Sequence, residues 1–284
     1  MKYVVFLDIL GFKKIVSSLS QENAEHFIKS FSKTVYEIFK QSDTNLEPRI
    51  KGYVVSDSII LYSNNIGKES LNTLISLTAK ICRAEFVEHG ILIRGGIAKG
   101  SFNKLEVAEL TQLEKTLIIG QAYIKAYQLE SSAKVIGINL SKDVYNDIIK
   151  YNIKLNEVIK YINITDNINE YKDEKMAYYL LKYIDLNFLL KGDNLLQFVK
   201  LANKSEWLPH YYNSLYFTIK NERNDKRKEQ LFLKIEEFIV KEYQNSSWRM
   251  LNLFIINAFS DEVLKNFKDI FLKHIRNHLP VSGN

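Results

Sequence analysis

Apolar residues run almost unbroken through Tyr3-Val4-Val5-Phe6-Leu7, and the stretch closes on Asp8-Ile9-Leu10-Gly11-Phe12. A continuous apolar run of this length reads as a buried strand over 3–9. The spacing then changes to threes and fours. Phe12, Ile15, Val16 and Leu19, followed by Phe27, Phe31, Val35, Ile38 and Phe39, mark one buried helical face. Ser20 and Gln21 are placed to divide it into two helices, and 45–48 is a loop. The segment 49–62 reads as a two-stranded hairpin with Ser56-Asp57 at its turn. Leu71, Leu74, Ile75, Leu77, Ile81, Phe86 and Val87 predict a helix over 67–89, which Gly90 is suited to end. A fourth strand over 91–100 carries Gly95, Gly96 and Gly100, removing side chains where another element comes close. Residues 101–116 are polar and read as a loop or short hairpin. Leu117-Ile118-Ile119-Gly120 leads into a helix over 121–132, and a fifth strand over 134–140 precedes Ser141, a cap for the next helix.

The order β-α-β-β-α-β, followed by α-β, predicts an α+β chain of ferredoxin-like plan: an antiparallel sheet with helices on one face. This defines a domain over 1–149. From 150 the character changes, glycine becomes scarce, and long helical patterns take over, such as Leu231, Phe232, Ile235, Phe238, Ile239 and Tyr243, or Val263, Leu264, Phe267, Ile270, Phe271 and Ile275. The segment 150–284 therefore reads as a helical extension packed on the sheet domain or on a second copy. Residues 220–230 mix both signs of charge and suit a solvated loop and helix start. The aromatic cluster at 207–213 suits a packing corner.

A length of 284 residues supports one large or two small domains. With 46% hydrophobic and 25% charged residues, the composition is that of a soluble globular protein rather than a disordered or fibrous one. The net charge of +6 is spread along the chain and suits an anionic ligand without pointing to DNA; an AT-rich genome would also give this abundance of Lys, Asn and Ile. The single cysteine, Cys82, lies within an apolar helical pattern, which excludes an internal disulfide and places it in the core. No apolar run approaches the ~20 residues that cross a bilayer, and the chain begins on a strand with no leader peptide, so a cytoplasmic protein is expected.

The candidate chemistry lies at two strand ends. Asp8 stands where a buried strand stops, and Asp57 stands at the tip of the hairpin. A carboxylate in such a place is costly unless paired or metal-bound. Two carboxylates on neighbouring strands suit a pair of Mg²⁺ or Mn²⁺ ions, which take oxygen ligands and bind nucleotide phosphates at the same time. Taken singly, each aspartate also fits helix capping or turn chemistry. His26, His89, His210, His274 and His278 show no metal-ligand spacing, and no Ser-His-Asp set, phosphate-binding Gly-rich loop or dinucleotide fingerprint is present.

In this order the segments resemble the class III nucleotidyl cyclases. The matching residues are Asp8-Ile9-Leu10-Gly11-Phe12 after strand 1, Ser56-Asp57 at the family's Gly-Asp hairpin, Arg94-Gly95-Gly96-Ile97, and a helix start from Gly120 through Ala126 to Leu129. The resemblance covers residues 3 to about 145. It implies that Asp8 and Asp57 hold two metal ions, with the Ile9 carbonyl as a further ligand, and that the backbone around Gly11 and Phe12 meets the triphosphate. It implies attack of the ribose 3′-hydroxyl on the α-phosphate with release of pyrophosphate, in a head-to-tail homodimer whose sites lie at the interface.

The departures bear on the base. Where purine cyclases carry a lysine or glutamate before the Gly-Asp turn, Tyr53 stands here; their second base-reading position is Leu117; and the helix Asn and Arg of the family fall on Ile124 and Gln128. Lys125, Lys99 and Arg94 are the candidates for the missing cation. A bulky Tyr53 narrows the base pocket, which is similar to the bacterial pyrimidine cyclases of Pycsar anti-phage systems. That resemblance implies cyclic UMP or CMP as product and a separate effector protein that responds to it. Tyr53 also fits simple strand packing, and Arg94 a strand-edge salt bridge. Two alternatives are a cyclase-like nucleotide sensor without catalysis, and a palm-type enzyme making a cyclic dinucleotide, which would more usually show Gly-Gly-Asp at the hairpin.

Overall fold

In the computed structural model, the first apolar run becomes β1 (Lys2–Ile9), an interior strand of a seven-stranded sheet. The structure describes residues 1–42, 49–105, 117–132, 136–153, 158–162, 177–181, 183, 189–195 and 197–198, with short pieces at 214, 224–227, 229–230 and 233–234. The helical pattern after β1 divides as the sequence suggests, into α1 (Phe12–Ser17) and α2 (Gln21–Ser42). The hairpin forms as β2 (Ile50–Val55) and β3 (Ser58–Ser63). Next come α3 (Lys68–Ala84), one π-helical turn over Glu85–His89, and β4 (Ile93–Gly100). Gly90 ends that turn in the left-handed region, at φ 65°. A separate small sheet pairs β5 (Asn103–Leu105) with β6 (Leu117–Ile119). Then follow α4 (Gln121–Ser132), β7 (Ile138–Leu140), α5 (Lys142–Lys150), β8 (Val158–Ile162) and β9 (Ala177–Leu181). Ser141 caps α5, its Oγ accepting from the Val144 N–H at 3.3 Å.

The strand order is β2-β3-β1-β4-β7-β9-β8. The first four pair antiparallel in the ferredoxin-like arrangement, whereas β7 runs parallel to β4, with Gly95 opposite Ile138. The expected α+β chain built on an antiparallel sheet is what folds.

Side chains alternate across this sheet and give it two apolar faces. Tyr3, Val5, Leu7 and Ile9 face one core with Leu61, Ile97, Phe31, Val35, Leu74, Ile75, Ile81 and Phe86. Val4, Phe6, Ile60, Tyr62 and Ala98 face a second with Ala122 and Ala126 of α4. Helices thus lie on both faces rather than one, and the reason is local. A Cβ on Gly96 would stand 2.2 Å from the Ala126 carbonyl oxygen, and one on Gly100 3.1 Å from the Ala122 nitrogen, so β4 offers α4 a side-chain-poor track. The Asn139 amide of β7 fixes the helix end by donating to the Leu129 carbonyl at 2.8 Å.

On the first face Asp147 of α5 accepts from the Tyr3 hydroxyl at 2.8 Å and from Lys99 Nζ at 2.6 Å, holding α5 to β1 and β4. Cys82 is fully buried, as expected, and burial pushes its thiol up.

Two strands beyond residue 150, β8 and β9, extend the sheet through β7, so the helical reading of 150–284 fails for 158–162 and 177–181. Tyr183 is also fully buried; its hydroxyl accepts from the Ile93 N–H at 3.0 Å and donates to the Ile93 carbonyl at 2.6 Å. The cluster at 207–213 and the two helical runs near 231–243 and 263–275 lie outside the described residues, apart from Leu233 and Lys234. Among the described residues, no helix is long and apolar enough to cross a membrane.

Candidate active site

Antiparallel pairing alone puts the two aspartates together. Asp8 of β1 stands opposite Ser58 of β3 on one side and Arg94 of β4 on the other. The next ladder step joins Ile9 to the hairpin tip, the Ile9 N–H donating to the Asp57 carbonyl at 3.3 Å. Ser56 and Asp57 form a two-residue turn between β2 and β3, and Ser56 takes a left-handed φ of 56°. A left-handed φ at this turn position is one that glycine adopts most readily, and serine holds it here.

Two opposed influences act on the Asp8 carboxyl. Burial pushes it above the usual carboxylate range and the nearby Asp57 charge adds to this, while a Ser58 hydrogen bond and Arg94 oppose. The Ser58 hydroxyl donates to Asp8 Oδ1 at 3.1 Å, and Arg94 Nη2 lies 3.8 Å from Asp8 Oδ2. Arg94 has a second partner: its Nε contacts Glu130 Oε1 of α4. Burial likewise raises the Glu130 carboxyl, with Arg94 opposing and Asp8 adding. Asp8 and Glu130 thus flank one guanidinium, and Asp57 lies beside Asp8.

Glu130 and Ser58 were not anticipated. For Glu130 a signal existed, since Ala122, Ala126 and Glu130 recur every four residues and share the sheet-facing stripe of α4. Ser58 was legible only as the residue that pairing would set opposite Asp8.

Of the other residues singled out, Tyr53 pairs with Ile60 and so lies on the same sheet face as Asp8. Its ring stacks on Tyr62 at 5.9 Å with an interplanar angle of 21°, and the two hydroxyls lie 3.4 Å apart. Gly11 precedes α1 with φ 77°, a left-handed turn that suits glycine, and Phe12 packs on Phe27 with ring centroids 6.5 Å apart. Leu117 begins β6 opposite Leu105, on the small separate sheet. Lys99 departs from expectation: it binds Asp147 on the opposite face, because odd and even positions of β4 point apart, so it cannot serve Asp8. Lys125, with Ile124, Tyr127 and Gln128, lies on the exposed side of α4.

The residues present fit divalent cations in a limited way. Among the described residues no cluster of three or more His, Cys, Asp or Glu side chains forms a metal cage. The Asp8–Asp57 pair does fit Mg²⁺, which is commonly held by one or two carboxylates together with substrate phosphates.

No protein-family model matches the sequence, and no curated protein matches it. Among solved structures, the chain is similar to the dimeric guanylyl cyclase domain of the RhoGC fusion protein from the aquatic fungus Blastocladiella emersonii. The TM-score is 0.47 at 16% identity, covering 64% of this chain and 93% of that one. It is also similar to a bacterial light-regulated adenylyl cyclase, with TM-score 0.47 and 12% identity over 72% of this chain and 57% of the other. A further structure of a bacterial light-regulated adenylyl cyclase gives TM-score 0.45 and 11% identity over 70% of this chain and 97% of that one.

Proposed function

We propose that this protein is a divalent-metal-dependent nucleotidyl cyclase. It would convert a pyrimidine nucleoside triphosphate, UTP before CTP, to the 3′,5′-cyclic monophosphate and pyrophosphate, a second messenger in anti-phage defence read by a separate effector protein. The observation that carries the reading is the convergence of Asp8 and Asp57 at one sheet tip, where burial and the Asp57 charge raise the cost of ionising Asp8. Asp8, Asp57 and the Ile9 carbonyl would hold two Mg²⁺ or Mn²⁺ ions, which when bound would ease loss of the 3′-hydroxyl proton and offset phosphate charge. In the reaction the 3′-oxygen bonds to the α-phosphorus as the bond to pyrophosphate breaks. Gly11 and Phe12 present backbone to the phosphates, and Tyr53, braced by Tyr62, limits the width available to the base.

The active form in this reading is a homodimer with its sites at the interface. Its support is the exposure of apolar side chains around the same tip and on α4: Val55 at 58%, Ile124 at 52% and Tyr127 at 54%. Lys125, exposed on that helix, is the cation candidate for a partner's site.

The test is purified protein with Mn²⁺ or Mg²⁺ and each of ATP, GTP, CTP and UTP separately, with products identified by mass spectrometry. Cyclic UMP or CMP is expected. A cyclic purine product would keep the cyclase and discard the role of Tyr53. A second reading, a nucleotide sensor without catalysis, is favoured by Ile124 and Gln128 standing where cyclases carry a polar pair. Tight nucleotide binding with no product from any substrate would select it, and a dinucleotide product would select the palm-type alternative.

A further inference from the structure

Arg94 has among its neighbours two acids from different elements, Asp8 of β1 and Glu130 of α4. Its Nε contacts Glu130, whose side chain is 5% exposed, and its Nη2 stays 3.8 Å from Asp8, beyond hydrogen-bonding distance. A guanidinium unopposed beside a carboxylate closes to a short paired contact, and a divalent cation needs those same oxygens. Glu130 draws Arg94 the other way, and Glu130 is fixed because α4 sits directly on Gly96 and is anchored by Asn139.

We infer that Glu130 is a positioning residue for cation binding at Asp8 and Asp57: it holds the Arg94 guanidinium toward α4 and so leaves the Asp8 oxygens to a divalent ion. This rests on the proposed reading of the two aspartates as metal ligands, and it assigns a role to a residue outside that pair. Without the Glu130 charge, Arg94 settles on Asp8 and competes with the cation.

The test is isothermal titration of Mn²⁺ into the full chain without nucleotide, for the natural protein, Glu130→Gln, and Glu130→Gln combined with Arg94→Gln. Circular dichroism checks the fold of each. Glu130→Gln is expected to weaken Mn²⁺ binding by about 10- to 100-fold, the range for residues that orient metal ligands. Adding Arg94→Gln is expected to return the affinity to the natural value or above. A residue that merely keeps α4 in place would not show this reversal, because the second substitution removes another contact of the same helix. Equal Mn²⁺ affinity in Glu130→Gln and the natural protein overturns the inference alone, as does a loss that the double variant fails to reverse. Absence of Mn²⁺ binding by the natural protein overturns the inference and the metal reading together. If Glu130→Gln does not fold, Glu130→Asp keeps the charge but shortens its reach; it should weaken binding in the same direction, and unchanged affinity there is equally decisive against the role.

Discussion

Glu85 offers a quantitative test of the fold's electrostatics. It opens the π-helical turn, is fully buried, and among the described residues neither carboxylate oxygen has a hydrogen-bond partner. Burial, with a smaller contribution from the Glu88 charge, pushes its carboxyl from 4.5 up to about 8. The folded protein therefore holds this proton more tightly than the unfolded chain. The resulting stability is complete below pH 4.5 and is lost as the pH rises through about 8. Linkage sets the loss at about 1 kcal/mol by pH 5 and about 4 kcal/mol by pH 8. Glu85→Met keeps the shape and has no proton to lose. Urea unfolding of both proteins without metal, at pH 5 and pH 8, isolates the effect, because titrating groups that do not interact with Glu85 cancel in the difference. The variant should gain about 3 kcal/mol on the natural protein between the two pH values. A gap that stays constant between pH 5 and pH 8 would refute the reasoning.

Three further outcomes are expected. Asp8→Asn should abolish cyclic nucleotide formation yet raise the midpoint of metal-free thermal unfolding at pH 7. Burial and Asp57 raise the Asp8 carboxyl, so its ionisation opposes folding increasingly as pH rises beyond the usual carboxylate range; a lowered midpoint would contradict this. Gly96→Ala forces a Cβ onto the α4 backbone and should cost about 3 kcal/mol, whereas Gly67→Ala, with nothing within 4 Å and an extended φ of 165°, should stay within about 0.5 kcal/mol; scanning calorimetry compares them. Asp147→Ala leaves the partly buried Lys99 without its carboxylate and should cost about 3 kcal/mol in urea unfolding, much of it recovered by adding Lys99→Met; no recovery would mean that the charge pair is not the source.

The strands and helices through residue 150 were legible because each carries one period. The run ending at Asp8 is continuous, the hairpin brackets its turn, and Leu71, Leu74 and Ile75 mark a helical stripe. The meeting of Asp8 and Asp57 was legible too, since consecutive antiparallel strands bring a strand end to a hairpin tip. What escaped was long-range. That α4 crosses to the other face depends on Gly96 and Gly100 meeting a helix, and a glycine announces close approach without naming what approaches. That Lys99 serves Asp147 and Arg94 serves Glu130 follows from strand parity and helix docking, which spacing along one segment does not reveal. Strands β8 and β9 were hidden because Val158-Ile159-Lys160-Tyr161-Ile162 and Ala177-Tyr178-Tyr179-Leu180-Leu181 sit among residues whose composition suits helices equally well.

The grip of Tyr183 on Ile93 has a consequence for the order of events during synthesis. Ile93 begins the strand that carries Arg94, and its backbone is tied off by a residue 90 positions later in the chain. While the first 150 residues emerge from the ribosome, β7 has an unpaired edge and the start of β4 lacks this clamp; both are completed only after β9 and Tyr183 have been made. Such late, distant contacts slow folding and leave a sheet edge open to other chains in the interval. A nascent chain stalled before residue 177 should accordingly be protease-sensitive around β4, and one released beyond 183 protected there.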